Sequence, residues 1–272
     1  MILNKYKIIA LDIDGTIKGE TSNVSKYTNN VIQNCKELGA IIVLATGRSF
    51  KSTKQILDQI KSISFVISFQ GAQINEVGMR FPIWNQFLSK DSLLNATKFY
   101  DNYDVQQIAY VEEDIYVKEV TPWVEAYAQR NNVIMHKIEK FAQIEQHVIR
   151  VLAVGEPDLI KKIDNDFQLN FKYNLYGTRS LPHFFEILSP YAGKEKALDF
   201  LCQQLRLTSD HVIAFGNGFN DVPMLKWAGA SVALENGSRD ALIAANFITG
   251  PVDADGVAHF ISEMIDNNMI GV

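Results

Sequence analysis

Two short apolar runs near the start of the chain end alike. Residues 7–11, KIIAL, stop abruptly at Asp12, and residues 40–45, AIIVLA, stop at Thr46. Unbroken runs of this length suit parallel strands buried on both faces. Between them Val24, Val31, Cys35 and Leu38 recur at helical spacing, with Ser22 or Asn23 placed to cap the helix and Gly39 to end it. That predicts a βαβ unit. The alternation continues through a helix near Phe50 to Ile60, apolar at Phe50, Ile56, Leu57 and Ile60, into a strand over Phe65 to Phe69. The economical reading is an α/β fold with a doubly wound parallel sheet.

From about Phe81 the texture changes. QQIAYV, DIYVKE, HVIRVLAV, LNFKYNLY and HFFEIL predict strands of one sheet, with only three helical intervals among them. Thr121 before Pro122 and Glu156 before Pro157 mark two helix starts, the second carrying Leu159, Ile160 and Ile163 on one face. Alternation of buried strand and helix resumes at Lys194: a helix to Leu207, strand HVIAF, a helix after Asn220, strand SVAL, and a helix after Ser238. The core is therefore expected over 1–83 and 187–272, interrupted by an α+β insert over 84–186. No internal repeat or low-complexity stretch is present.

Composition narrows the function classes. At 272 residues the chain can bury a sizeable core without staples, and its two cysteines, Cys35 and Cys202, lie far apart in apolar helical stretches. They read as reduced core thiols. MILNKYKIIALD passes into charge within a few residues, and no later apolar run reaches the roughly 18 residues needed to span a bilayer. A cytoplasmic protein with no membrane partner is expected. The formal charge of -5, with lysine and arginine scattered, offers no footprint for nucleic acid. His136, His147, His183, His211 and His259 lack metal-ligand spacing. Trp84, Trp123, Tyr116 and Tyr127 read as core of the insert more readily than as ligand-stacking groups, with one of them left as a candidate for the insert's surface, and Asp253 and Asp255 read as a solvated loop.

The chemistry concentrates in four places. Asp12-Ile13-Asp14-Gly15-Thr16 follows a buried strand, where ligands bind in an open α/β sheet. Asp-Gly alone explains a turn, but not why a second aspartate ends the strand. Two carboxylates in one small site repel unless a proton or a hard cation such as magnesium intervenes. Thr46-Gly47-Arg48 closes the second strand at the same edge. Its hydroxyl and the amides opening the next helix can hold a phosphate oxygen, although Thr46 equally suits a helix cap. Lys194 opens a helix, where the macrodipole disfavours a cation, which suggests a partner to an aspartate or a phosphate, although taken without the other motifs the position suits an exposed lysine better. Gly216-Asn217-Gly218-Phe219-Asn220-Asp221 has a spacing similar to a dinucleotide fingerprint, but it reads G-x-G-x-x-D and its polar residues suit metal and phosphate contacts.

In this order, DIDGT, LATGR, Lys194 and GNGFND resemble the haloacid dehalogenase superfamily, and within it the Cof-type phosphatases. EILSPYAGKEKAL, NDVPMLKWAG and DADGVAHFI extend the resemblance over nearly the whole chain. It implies a Rossmann-like core with Asp12 on its central strand, and a cap domain, of the class IIB kind, over 84–186. By the same resemblance Asp12 is nucleophile and metal ligand. Asp14 is general acid and base and lends its backbone carbonyl to Mg2+. Thr46, Gly47, Lys194 and Asn220 bind the phosphoryl group, and Asn217 and Asp221 serve the metal.

Three positions depart from the family's pattern: Asn217 where it has Asp, Glu195 where a glycine follows the lysine, and Gln70-Gly71-Ala72 where it has Asn-Gly-Ala. The function implied is a magnesium-dependent phosphatase that acts on a small phosphorylated metabolite, a sugar phosphate or similar, through an aspartyl-phosphate. A phosphotransferase or mutase, and a phosphometabolite binder with weak or no catalysis, are the alternatives. A signalling receiver is disfavoured by Asp14 and the insert. The chain is expected to be a monomer or small homo-oligomer.

Overall fold

The computed structural model describes residues 6–19, 23–171 and 174–271. The first elements are β1 (Ile8–Leu11), α1 (Lys26–Glu37), β2 (Ile41–Ala45), α2 (Lys54–Gln59), β3 (Ile63–Ser68), β4 (Gln73–Glu76) and β5 (Trp84–Asn85). Next come α3 (Lys90–Tyr100), β6 (Gln106–Val111), β7 (Asp114–Val117), α4 (Pro122–Asn131), β8 (Met135–Lys137), β9 (Val148–Val154), α5 (Pro157–Asn170), β10 (Tyr176–Leu181) and β11 (Phe184–Leu188). The last are α6 (Lys194–Gln204), β12 (Val212–Gly216), α7 (Val222–Trp227), β13 (Ala230–Leu234), α8 (Arg239–Ala244), β14 (Phe247–Thr249) and α9 (Gly256–Asp266). They form two compact units, Met1–Trp84 with Gly193–Val272, and Asn85–Ala192.

The first unit holds a sheet in the order β14-β13-β12-β1-β2-β3-β4-β5. Its neighbours from β14 to β3 pair parallel, and β4 is antiparallel to β3. The apolar runs become its strands because both faces are covered. On β1, Ile9 and Leu11 join Val31, Ile32 and Cys35 of α1 and Val257, Ala258 and Ile261 of α9. Ile8 and Ala10 face the other way, into Ala197, Leu198, Leu201 and Cys202 of α6 and Met224 of α7. Each large side chain fully buried in this way contributes about 1.5–3 kcal/mol. Burial pushes the Cys35 and Cys202 thiols up to about 12.

The helix boundaries shift from those the pattern predicts. Ser25, rather than Asn23, caps α1, its side chain accepting from Thr28 N at 2.9 Å; Ser22 lies outside the described residues. The helix expected near Phe50 to Ile60 divides into a 3-10 turn over Lys51–Thr53 and α2. The third strand ends at Ser68, because Phe69 turns into the left-handed region at φ 48°.

The second unit carries a sheet in the order β10-β11-β9-β6-β7-β8. One face packs Ala109, Val111, Val151, Ala153, Phe185 and Ile187 against α3 and α5. On the other, the guanidinium of Arg150 lies 4.2 Å over the Tyr110 ring and pairs with Glu186, and α4 brings Tyr127 against Phe184.

Three expectations are corrected here. The strand predicted over LNFKYNLY is displaced: α5 keeps its helical face, Ile160, Ile163 and Phe167, as far as Asn170, and β10 starts only at Tyr176. The insert edge expected at 186 would cut β11, which pairs with β9 through Leu188. Trp84 belongs to the first unit, where its indole N–H donates to Gly71 O at 3.3 Å and its ring lies 4.4 Å from Phe200. Among the described residues no helix is long and apolar enough to cross a membrane.

Candidate active site

Parallel strands end along one edge of the sheet, and here that edge collects polar groups. β1 leads into Asp12 and its neighbour β2 into Thr46, while on its other side β12 closes with Gly216 before Asn217. After Asp12 the chain curls tightly: the amides of Thr16, Ile17 and Lys18 all donate to Ile13 O, at 3.2, 3.1 and 3.0 Å. Gly15 sits in this curl at φ 82°, and a Cβ there would stand 2.2 Å from Asn217 Nδ2. Its glycine therefore serves the close approach of two loops as well as the turn.

Lys194 is the first residue of α6 and is completely buried. Its ammonium donates to Asp12 Oδ1 at 2.7 Å and to Asp221 Oδ1 at 2.6 Å. The turn after β3 abuts the start of this helix: a Cβ on Gly71, φ 93°, would come 2.1 Å from Gly193 O. Asp221 Oδ2 accepts the amides of Asn217 and Gly218 at 2.9 and 2.8 Å, so the glycine-asparagine motif is folded around this carboxylate. The Thr16 hydroxyl donates to Asn217 Oδ1 at 3.0 Å and lies 3.4 Å from Asp12 Oδ2.

The electrostatics follow from two buried carboxylates sharing one ammonium. Asp12 is 5% exposed; burial, and next the charge of Asp221, push its pKa up to about 7 against the pull of Lys194. Burial also opposes the charge on Lys194, but Asp12 and Asp221 outweigh it and hold that pKa above the usual value. With Asp12 ionised, the cluster carries more negative charge than its own lysine balances.

Asp14 stands apart from this cluster. Arg48 grips it in a fork, Nε to Oδ2 at 2.7 Å and Nη2 to Oδ1 at 2.6 Å, with the Asp14 side chain 51% exposed. That hydrogen bond is the main reason the guanidinium pKa is held above its ordinary value. Thr46 Oγ1 accepts the Arg48 amide at 3.1 Å. Gln70, buried at φ 56°, connects the remaining residues: its amide donates to Thr46 O at 3.0 Å, and its Oε1 accepts from Asn220 Nδ2 at 3.0 Å. Its Nε2 would stand 2.3 Å from a Cβ on Gly47.

The eight residues singled out in the sequence therefore assemble as three linked groups, Asp12-Lys194-Asp221-Asn217, Asp14 with Arg48, and Thr46-Gly47-Asn220 around Gln70. Sequence reasoning assigned no role to Thr16 or Arg48, although both lie inside the quoted motifs, because neither spacing shows what a side chain grips. Glu195 folds its carboxyl over Gly193, where burial pushes its pKa up. Asp255 corrects the solvated-loop expectation: it opens α9 and accepts hydroxyls from Ser25 at 2.5 Å and Thr28 at 2.8 Å.

A doubly wound α/β sheet with a carboxylate-lysine cluster at its carboxyl edge puts charged groups where sheets of this class bind their ligands. Residues 9–261 match the family model of haloacid dehalogenase-like hydrolases. The chain belongs to that family, and stands among its Cof-type phosphatases, as the order of its motifs implied. It is similar to YxeH of Bacillus subtilis, 28% identical over 273 residues that cover 96% of this chain and 98% of the relative. It is also 25% identical to the 5-amino-6-(5-phospho-D-ribitylamino)uracil phosphatase YwtE of Bacillus subtilis, over 95% of this chain and 98% of the relative. Among solved structures, the subclass IIB sugar phosphatase BT4131 has the same fold, with a TM-score of 0.82, 21% identity, and coverage of 97% of this chain and 100% of its own.

Proposed function

We propose that the chain is a magnesium-dependent phosphatase that passes the phosphoryl group of a small phosphorylated metabolite to Asp12 and then to water. The observation that supports this reading most directly is the buried Asp12, held by Lys194 and set in a cluster with unbalanced negative charge. That imbalance fits a hard divalent cation. Among the described residues no three His, Cys, Asp or Glu side chains converge as a metal cluster, so the donor set is mixed: the Asp12 carboxylate, the Asp14 backbone carbonyl and the Asn217 amide oxygen, with Asp221 behind them. When bound, magnesium supplies charge screening and a fixed orientation for phosphoryl oxygens.

The chain's own groups account for the rest. An Asp12 carboxylate oxygen attacks phosphorus as the bond to the leaving oxygen breaks, and Asp14 gives that oxygen a proton. Asp14 then takes a proton from the water that attacks the acyl phosphate, and the bond from phosphorus to Asp12 breaks. Lys194, the Thr46 hydroxyl, the amide at Gly47 and Asn220 hold the transferring oxygens, and Asp221 fixes Lys194 and the 217–218 amides. Arg48 grips both oxygens of Asp14, so proton transfer requires that fork to loosen. Substrate choice is assigned to the unit 85–192 and to a phosphometabolite of the class that the names of YwtE and BT4131 indicate.

A second reading, a binder that does not turn over, is favoured by one observation: Asn217, neutral where the family has Asp, already spends its oxygen on Thr16. Hydrolysis of an aryl phosphate separates the two readings. Magnesium-dependent turnover that disappears in Asp12→Asn supports the enzyme; no turnover at any magnesium concentration refutes it.

A further inference from the structure

The turn between β13 and α8, residues 235–238, contains no residue of the motifs, yet it touches two of their loops. Asn236 Nδ2 donates to Gly15 O at 3.2 Å, while its Oδ1 accepts the Val252 amide at 3.0 Å. The second bond fixes which way the amide faces, because only the nitrogen can then serve Gly15. Two residues on, the Ser238 amide donates to Asn217 O at 2.7 Å. The turn itself is closed by Gly237 N on Leu234 O at 2.8 Å, and Ser238 continues into α8 as its cap, accepting from Ala241 N.

The curl after Asp12 is tied mostly to itself. Four of its amides bond inside residues 13–18, to Ile13 O and Lys18 O. Among the described residues its outward side-chain hydrogen bonds come from Asp12, Asp14 and Thr16, the first two of which the reaction above uses, while Ile13 and Ile17 anchor it in the core. Gly15 O, by contrast, points at a group that has no chemistry of its own. We infer that Asn236 is a positioning residue: with Ser238 it braces the Asp12–Thr16 curl and the Asn217 loop at a fixed separation, and so sets where Asp12 and Asp14 stand during phosphoryl transfer. The inference rests on the phosphatase reading above.

Asn236 is exposed, so replacing it leaves the core packing alone. Asn236→Asp keeps an oxygen for Val252 N and removes the donor to Gly15 O. Gly237→Ala acts from the other side: its Cβ would stand 2.9 Å from Asn217 O, closer than such contacts occur. Losing one hydrogen bond of this kind in the transition state lowers kcat by roughly two- to tenfold. The experiment is steady-state hydrolysis of an aryl phosphate at saturating magnesium by the wild type, Asn236→Asp, Asn236→Gln and Gly237→Ala, alongside thermal melting. The expected result is a reduced kcat in Asn236→Asp with a KM within about twofold of wild type and unchanged melting, a reduced kcat in Gly237→Ala, and partial recovery in Asn236→Gln, which keeps the donor. An unchanged kcat in Asn236→Asp overturns the inference, as does a loss of kcat in that variant that follows a lowered melting temperature. A wild type without turnover refutes the phosphatase reading instead.

Discussion

Asp12→Asn in metal-free protein isolates the cost of the site. Asp12 titrates near 7 in the folded chain, against 3.8 for an ordinary aspartate, because burial and the Asp221 charge disfavour its anion. A raised folded pKa means that the folded state holds this proton more tightly than the unfolded chain. The stability associated with it is complete below about 3.8 and is lost as pH rises through about 7. Three units at 1.36 kcal/mol each make the loss on the order of 4 kcal/mol at pH 8. Asparagine has the same shape, keeps an oxygen for Lys194 and has no charge to bury. In buffer with a chelator, urea unfolding of Asp12→Asn against wild type should show nearly equal stability at pH 4 and a variant more stable by several kcal/mol at pH 8. Magnesium should then narrow the gap by stabilising the wild type more. Refutation would come from a difference that does not change between pH 4 and pH 8, or from a variant less stable at pH 8; either would mean that the cluster carries no unbalanced charge.

Asp14→Asn should lower turnover by about 10²–10⁴-fold, since the proton transfers of both steps are lost, while circular dichroism shows the fold retained. Asn217→Asp should lower the magnesium concentration for half-maximal hydrolysis, read from metal titrations of both proteins, because a carboxylate oxygen replaces an amide oxygen and still accepts the Thr16 hydroxyl. Cys35 and Cys202, with thiols pushed up to about 12, should resist alkylation at pH 8 until the chain unfolds, as mass spectrometry after iodoacetamide treatment will show.

The fold was legible wherever burial left a simple pattern. KIIAL and AIIVLA read as strands because β1 and β2 are apolar on both faces, and Pro122 and Pro157 marked two helix starts correctly. Short or polar elements escaped: β8 is three residues long, β14 exposes Phe247 and Ile248, and α5 runs on through Leu169 and Asn170, the first two residues of a segment that looked strand-like. In the site, the carboxylates and Lys194 were legible as charges placed where charge is costly. What they hold was not. The Arg48 fork, the Gln70 junction and the Asn236 brace join residues 34, 150 and 221 positions apart, and no local spacing encodes such pairings.

The central claim is that Asp12 carries the phosphoryl group. Rapid acid quenching of the magnesium-loaded enzyme during aryl phosphate turnover, followed by peptide mass spectrometry, tests it directly. The account predicts a phosphorylated peptide that maps to Asp12 and is absent from Asp12→Asn. Sustained turnover in Asp12→Asn, or a phosphoryl group mapped to another residue during wild-type turnover, would contradict it.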